Sequence, residues 1–90
     1  METVGKTSDG KTVVAGVFKF YETHGLPLDS IFDCLISKNC IPDWLCFYVE
    51  AVSAGMKHDR IIEKLSAAIS DSFGAGVRDH VVGVLNKAAK

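Results

Sequence analysis

The 90-residue sequence has no excess of charge of either sign. Ten lysine and arginine residues are balanced by eleven aspartate and glutamate residues, which gives a formal net charge of −1. A chain without net positive charge creates no field that would hold nucleic acid or an anionic membrane surface non-specifically. The sequence also has no apolar run near the roughly 18 residues that a membrane-spanning helix requires. The composition therefore argues against a polybasic nucleic-acid binder and against a membrane-spanning protein.

Cysteine is scarce, and its spacing is not that of a metal site. Cys34, Cys40 and Cys46 are an odd number of thiols, and the first twelve residues are polar, without the apolar stretch of a secretory signal. Reduced thiols in the cytoplasm are the natural interpretation. Five residues separate each cysteine from the next, whereas structural zinc sites favour pairs two to four residues apart. We therefore expect no metal and no cofactor.

Motifs typical of enzymes are absent as well. The segment 74–76 has two glycines but no following Lys-Ser or Lys-Thr pair, so it does not predict a phosphate-binding loop. Acidic pairs one helical turn apart, at 29 and 33 and at 59 and 63, are typical of a solvated helix face. No cysteine lies in a nucleophile motif. We therefore predict that the protein is not an enzyme and that no residue is catalytic.

What the sequence does contain is a series of short apolar segments divided by glycine and proline. Hydrophobic residues make up 48% of the chain, and a chain of this length can enclose one core. The pattern predicts an all-α fold, a compact orthogonal bundle of four to five short helices, with a flexible polar tail over 1–11 and a single domain over 12–90. Thr12 is the predicted N-cap of the first helix, at 13–24. The later helices are expected after Pro27 and Pro42 and at about 57–72 and 77–89.

A weak internal repeat supports two of the predicted turns. Residues 25–35 align without gaps on residues 55–65, sharing a glycine, an aspartate four residues later, an isoleucine and a leucine. Glycine can end a helix in a left-handed turn, and aspartate in the first turn of the next helix favours its dipole. The repeat predicts turns at Gly25 and Gly55. Whether it reflects a duplication stays open.

The second of these turns resembles a helix-turn-helix unit in its spacing. Ala51, Gly55 and Ile61 occupy the positions of the small residue, the turn glycine and the core residue in that motif. A DNA-binding regulator is therefore the alternative function. Acidic residues at 59 and 63 on the same helix weaken it. The candidate DNA-binding residues would be Lys57, His58, Arg60 and Lys64.

The leading hypothesis rests on helices that are apolar on two faces. The first and third predicted helices carry aromatic residues that cannot all point into one core, and aromatic residues are enriched at interface centres. The alternative, that they only fill the core, stays open. We predict a small non-enzymatic protein-interaction module, of the accessory kind found in bacteria and their phages, which forms a homodimer or binds a larger protein partner. Its candidate partner-binding residues are Phe18, Tyr21, Trp44, Phe47 and Tyr48.

Overall fold

The computed structural model describes residues 1–89, and it is an α+β fold. The last residue of the predicted domain, Lys90, lies outside the described residues. The prediction of an all-α bundle is wrong, because three strands form a mixed sheet beside five helices. In chain order the elements are β1 Glu2–Lys6, β2 Thr12–Ala15, α1 Val17–His24, α2 Leu28–Ser37, β3 Cys40–Pro42, α3 Trp44–Ser53, α4 His58–Phe73 and α5 Ala75–Ala88.

The sheet corrects both predictions made for the N-terminal segment. The predicted tail contains β1, which pairs antiparallel with β2, and β2 pairs in parallel with β3. Thr12 is not a helix N-cap: it lies in β2, and its backbone N–H donates to the Asn39 carbonyl at 3.0 Å. Val14 fits the apolar spacing of a helix, but in β2 its side chain is buried against the core. β-Branched residues favour strands when a partner strand is available, and here β3 supplies one.

The β1–β2 connection is a tight turn closed by its own hydrogen bonds. The Thr7 backbone N–H donates to the Lys11 carbonyl at 2.8 Å, and Gly10 takes a φ of 89°. The Thr7 hydroxyl donates to the Asp9 carboxylate. This hydrogen bond is the main reason why the pKa of Asp9 lies below its ordinary value. The polar residues of this segment therefore form a defined hairpin turn.

A single glycine separates the sheet from the first helix. Gly16 has φ 84° and ψ 12°, a left-handed conformation that costs an L-residue with a side chain about 1–2 kcal/mol. The next residue begins α1, and the Phe20 N–H donates to the Gly16 carbonyl at 3.0 Å. The chain can turn from strand into helix here without strain because glycine has no Cβ.

The turns predicted at Gly25 and Gly55 are confirmed. Both glycines are left-handed, with φ of 65° and 97°. The Gly25 N–H donates to the Tyr21 carbonyl, as expected where a glycine ends a helix. The helices that follow begin at Leu28 and His58, at equivalent positions of the repeat. The repeated pattern therefore marks two similar helix starts.

The core is formed by buried residues of all five helices and by Val14 of β2, with α4 packed on α2 and α5, and α2 packed on β3. α4 shows the pattern most clearly, because its buried residues recur every three or four positions. The helix predicted at about 57–72 is confirmed. The buried apolar residues are Val14, Val17, Phe18, Leu28, Ile31, Phe32, Leu35, Phe47, Ala51, Ile61, Leu65, Ala68, Ile69, Val81 and Leu85.

Candidate protein-interaction surface

Two of the five aromatic residues predicted to bind a partner are core residues. The side chains of Phe18 and Phe47 are 2% and 3% exposed, and their rings meet edge to face with centroids 5.2 Å apart. This contact joins α1 to α3. The prediction is corrected for these two residues, because a ring enclosed by its own fold cannot contact a partner.

Trp44 belongs to a second aromatic cluster, which is only partly enclosed. Its ring lies edge to face against Phe32 and Phe73, at centroid distances of 5.6 and 5.7 Å. Such pairs contribute about 0.5–1.5 kcal/mol beyond the area they bury. Trp44 therefore ties α3 to α2 and α4, while part of its surface remains open to solvent.

Tyr48 joins a chain of hydrogen bonds across three helices. Its hydroxyl lies 2.9 Å from His58 Nδ1, and His58 Nε2 lies 2.9 Å from Asn86 Oδ1. An amide oxygen can only accept, so His58 Nε2 carries a proton, and in the neutral ring Nδ1 accepts from the tyrosine. This chain links α3, α4 and α5 at their surface, and its role in the fold is structural.

The chain of hydrogen bonds leads to a stability prediction. Replacing Tyr48 by phenylalanine removes the donor to His58, and we expect the free energy of unfolding to fall by about 1 kcal/mol. Urea denaturation measures this loss. In a His58→Ala background the same substitution should cost little, because its partner is gone. An equal loss in both backgrounds would show that the two side chains are not coupled.

Tyr21, the remaining aromatic candidate, is paired within the chain too. Lys64 Nζ donates to the Tyr21 hydroxyl at 3.1 Å and lies 5.6 Å from the centre of the ring. This contact links α1 to α4. Two of the four candidate DNA-binding residues, His58 and Lys64, are thus used in contacts between helices.

The solvent face of α4 is mixed in charge. Lys57, just before the helix, and Arg60 in its first turn are exposed. The same face exposes Asp59, Glu63 and Asp71. Carboxylates interspersed with cations repel phosphate and cancel the field that attracts it. The helix after Gly55 therefore offers no basic stripe, and this geometry does not support the DNA-binding alternative.

The most exposed large apolar residues of the helices lie on the outer side of α3. Leu45, Val49 and Val52 are 47%, 60% and 47% exposed, and their spacing of four and three residues places them on one helix face. We call these three residues the α3 outer face. The opposite side of the helix packs on the core through Phe47 and Ala51. The exposed apolar surface therefore lies on the opposite side of α3 from Phe47, one of the aromatic residues predicted to bind a partner.

The sequence contained a signal for this face that the aromatic residues obscured. The segment 44–53 is apolar nearly all round, and the sequence predicts that such a helix is central or lies in an interface. Leu45, Val49 and Val52 follow the helical spacing as well as the aromatic residues do. Periodicity cannot tell which of two apolar faces is covered by the rest of the chain.

An apolar cleft adjoins the α3 outer face at Leu45. It has a volume of about 310 Å³ and lies between the start of α3, the sheet and α5. Val13 and Ile41 are directly paired in register on β2 and β3, and both line it. Val84 and His80 contribute from α5. The cleft extends the apolar surface from α3 onto β2, β3 and α5.

Metal and membrane features are not found among residues 1–89. No group of three or more histidine, cysteine or acidic side chains there could hold a metal ion. Cys34, Cys40 and Cys46 are free thiols. None of the helices in this range is long and apolar enough to cross a membrane. The exposed apolar residues of the α3 outer face and the adjoining cleft define the candidate site.

No protein-family model, no curated protein and no solved structure matches the chain. The role of the α3 outer face therefore has to be inferred from its geometry and chemistry.

Proposed function

We propose that this protein is a small non-enzymatic interaction module that binds a helix of a protein partner on the α3 outer face. The observation that carries the proposal is the exposure of three aliphatic side chains on one side of a helix whose other side is in the core. Contiguous apolar surface of this kind marks protein-binding sites on small domains. The free thiols support a reducing, cytoplasmic setting for this interaction.

The shape of the surface favours a helical partner. From Leu45 to Val52 the α3 outer face spans about 10 Å along the helix axis, at 1.5 Å per residue. The cleft beside Leu45 gives the surface a concave end. An amphipathic helix could lay two or three turns of its apolar face along α3 and place one side chain in the cleft.

The charged residues that border the α3 outer face favour a partner with particular polar residues. Asp43 lines the cleft beside Leu45, and Glu22, Glu50 and Lys19 line a groove with Val49, so three acidic residues and one lysine border the surface. Complementary charge at the rim of an interface favours one class of partner and speeds association. The partner is therefore a helix with basic residues beside its apolar stripe.

A synthetic amphipathic helical peptide of leucine and lysine tests the proposal. Its addition should shift amide NMR signals of α3 and of the cleft, and Val49→Glu should weaken binding at least about tenfold, as for an interface centre. Val4→Glu is the matched control: it places the same charge at another exposed valine, on β1, and should leave the affinity unchanged.

Two results would contradict the proposal. Peptide shifts that map elsewhere, or equal affinities for wild type, Val49→Glu and Val4→Glu, would show that the α3 outer face is not a binding site. If the α3 signals shift when the protein alone is concentrated, the α3 outer face binds a second copy of the chain instead of a helix of another protein. Val49 is 60% exposed, so the variant should keep the fold, which circular dichroism checks.

A further inference from the structure

A second apolar cleft lies beyond the cleft beside Leu45. It has a volume of about 260 Å³, and its walls include the end of α2, β3 and the end of α4. Ile36, Ile41 and Phe73 supply its apolar surface, and we call it the Ile36 cleft. The Ile36 side chain is 42% exposed. The fold therefore leaves apolar surface open to solvent in this cleft too.

The two clefts adjoin each other. Ile41 of β3 lines both of them. Trp44 lines the cleft beside Leu45 and Phe73 lines the Ile36 cleft, and these two rings are in edge-to-face contact with centroids 5.7 Å apart. A chain that leaves the α3 outer face through the cleft beside Leu45 therefore reaches the Ile36 cleft once it has passed Ile41.

The sign of the charge changes along this path. Acidic residues border the α3 outer face, and one of them, Asp43, lines the cleft beside Leu45. The charged residue in the wall of the Ile36 cleft is Lys11. Within residues 1–89 Lys11 forms no ion pair. A complementary partner is therefore basic where it covers α3 and acidic where it reaches the Ile36 cleft.

We infer that a short segment flanking the partner's helix places an apolar side chain in the Ile36 cleft and a carboxylate beside Lys11. The inference rests on the proposed function, because this segment continues the helix that binds on α3. The segment binds through its side chains: β3 has three residues, and Pro42 among them has no N–H to donate to an added strand. The partner is thus recognised at two adjoining apolar clefts with opposite charges beside them.

Extended versions of the leucine–lysine helical peptide test the inference. One carries Ser-Ser-Leu-Glu after the helix, and a second carries Glu-Leu-Ser-Ser before it, because the helix can lie along α3 in either direction. One of them should bind about tenfold more tightly than the unextended peptide, as expected when a leucine side chain is buried. An extension with serine in place of leucine and lysine in place of glutamate is the control and should add nothing.

Variants of the protein locate the gain in affinity. Ile36→Glu should remove the gain and leave the affinity for the unextended peptide unchanged. Lys11→Glu should weaken binding of the extended peptide about threefold, and replacing only the glutamate of the extension by lysine should restore it. Leu26→Glu is the matched control, because Leu26 is 44% exposed and lines neither cleft. Circular dichroism shows that each variant remains folded.

The inference is overturned if neither extended peptide binds more tightly than the unextended one. It is also overturned if Ile36→Glu and Leu26→Glu reduce the gain equally, because the added leucine would then lie elsewhere. Binding of the unextended peptide that Val49→Glu weakens supports the proposed function even when the extensions add nothing, so the two failures are distinct. If the unextended peptide does not bind, the proposed function fails and this inference fails with it.

Discussion

Replacing Phe32 by alanine is expected to lower the free energy of unfolding by about 3–5 kcal/mol, which is a large part of the stability of a domain of this size. The Phe32 side chain is fully buried, and its ring contacts Trp44 and Phe73 at centroid distances of 5.6 and 5.7 Å. Truncation removes the apolar area and leaves a cavity that the aromatic neighbours can fill only in part. The melting temperature should fall by about 15–30 °C, measured by circular dichroism.

Ile36 provides the control on the same helix. Its side chain is 42% exposed, one turn beyond Phe32, so Ile36→Ala should change the stability by no more than about 0.5 kcal/mol. Phe32→Leu keeps part of the volume and should show a smaller loss if the alanine variant does not fold. Equal losses for Phe32→Ala and Ile36→Ala would contradict the position of α2 in the core.

The Gly16→Ala substitution separates the observed fold from the predicted helical one by the sign of its effect. If residues 13–24 formed one helix, alanine in its interior would stabilise the protein by about 0.5–1 kcal/mol. In the structure Gly16 has a φ of 84°, and alanine should instead destabilise it by about 1–2 kcal/mol. Steric clash contributes little to this loss, because a Cβ at this position would lie 3.6 Å from Met1 Cα, at ordinary van der Waals distance. Urea denaturation measures both the sign and the size.

Gly83 is the matched control because it lies inside α5, is exposed, and has open space where the Cβ of an alanine would stand. Gly83→Ala should stabilise the protein by about 0.5–1 kcal/mol. Stabilisation by both substitutions would mean that the chain runs as a helix through Gly16. The fold requires that Gly16→Ala lowers the free energy of unfolding and that Gly83→Ala raises it.

The ends of several helices could be predicted because their signals are local. Gly25 and Gly55 close helices through hydrogen bonds to residues a few positions earlier, and glycine is the residue that such left-handed turns favour. The apolar stripe of α4 follows a regular spacing that periodicity detects directly. These features depend on residues within one or two turns of each other, so one sequence is enough to predict them.

The sheet could not be predicted in the same way. Val13 and Val14 fit a helical stripe as well as a strand, and the partner of β2 is a strand of only three residues. Thr12 pairs with Cys40, far along the chain, and no local pattern reports such a pairing. β1 is polar and exposed, which resembles a flexible tail. The β-branched residues and Gly16 were the only local features that favoured a strand before α1. The helical spacing of the apolar residues led to the prediction of a helix instead.

The candidate site likewise combines features that the sequence predicts with features that depend on the tertiary structure. The sequence predicted that α3 has more apolar surface than one core can cover, and the structure agrees. It did not predict that Phe47 is covered while Val49 is exposed. His58 and Lys64 were predicted to be available for DNA, yet their hydrogen bonds to Tyr48 and Tyr21 join segments distant in the chain.

Taken by itself, the sequence determined the balance of charge, the number and approximate positions of the helices after Gly25, and the excess of apolar surface on the segment 44–53. Only the tertiary structure decided that residues 2–6, 12–15 and 40–42 form a sheet, and which side of α3 remains exposed. Helix formation and termination depend on neighbours within a few residues, which the sequence displays directly. Strand pairing and burial depend on which distant segments meet, and that is settled only when the whole chain packs.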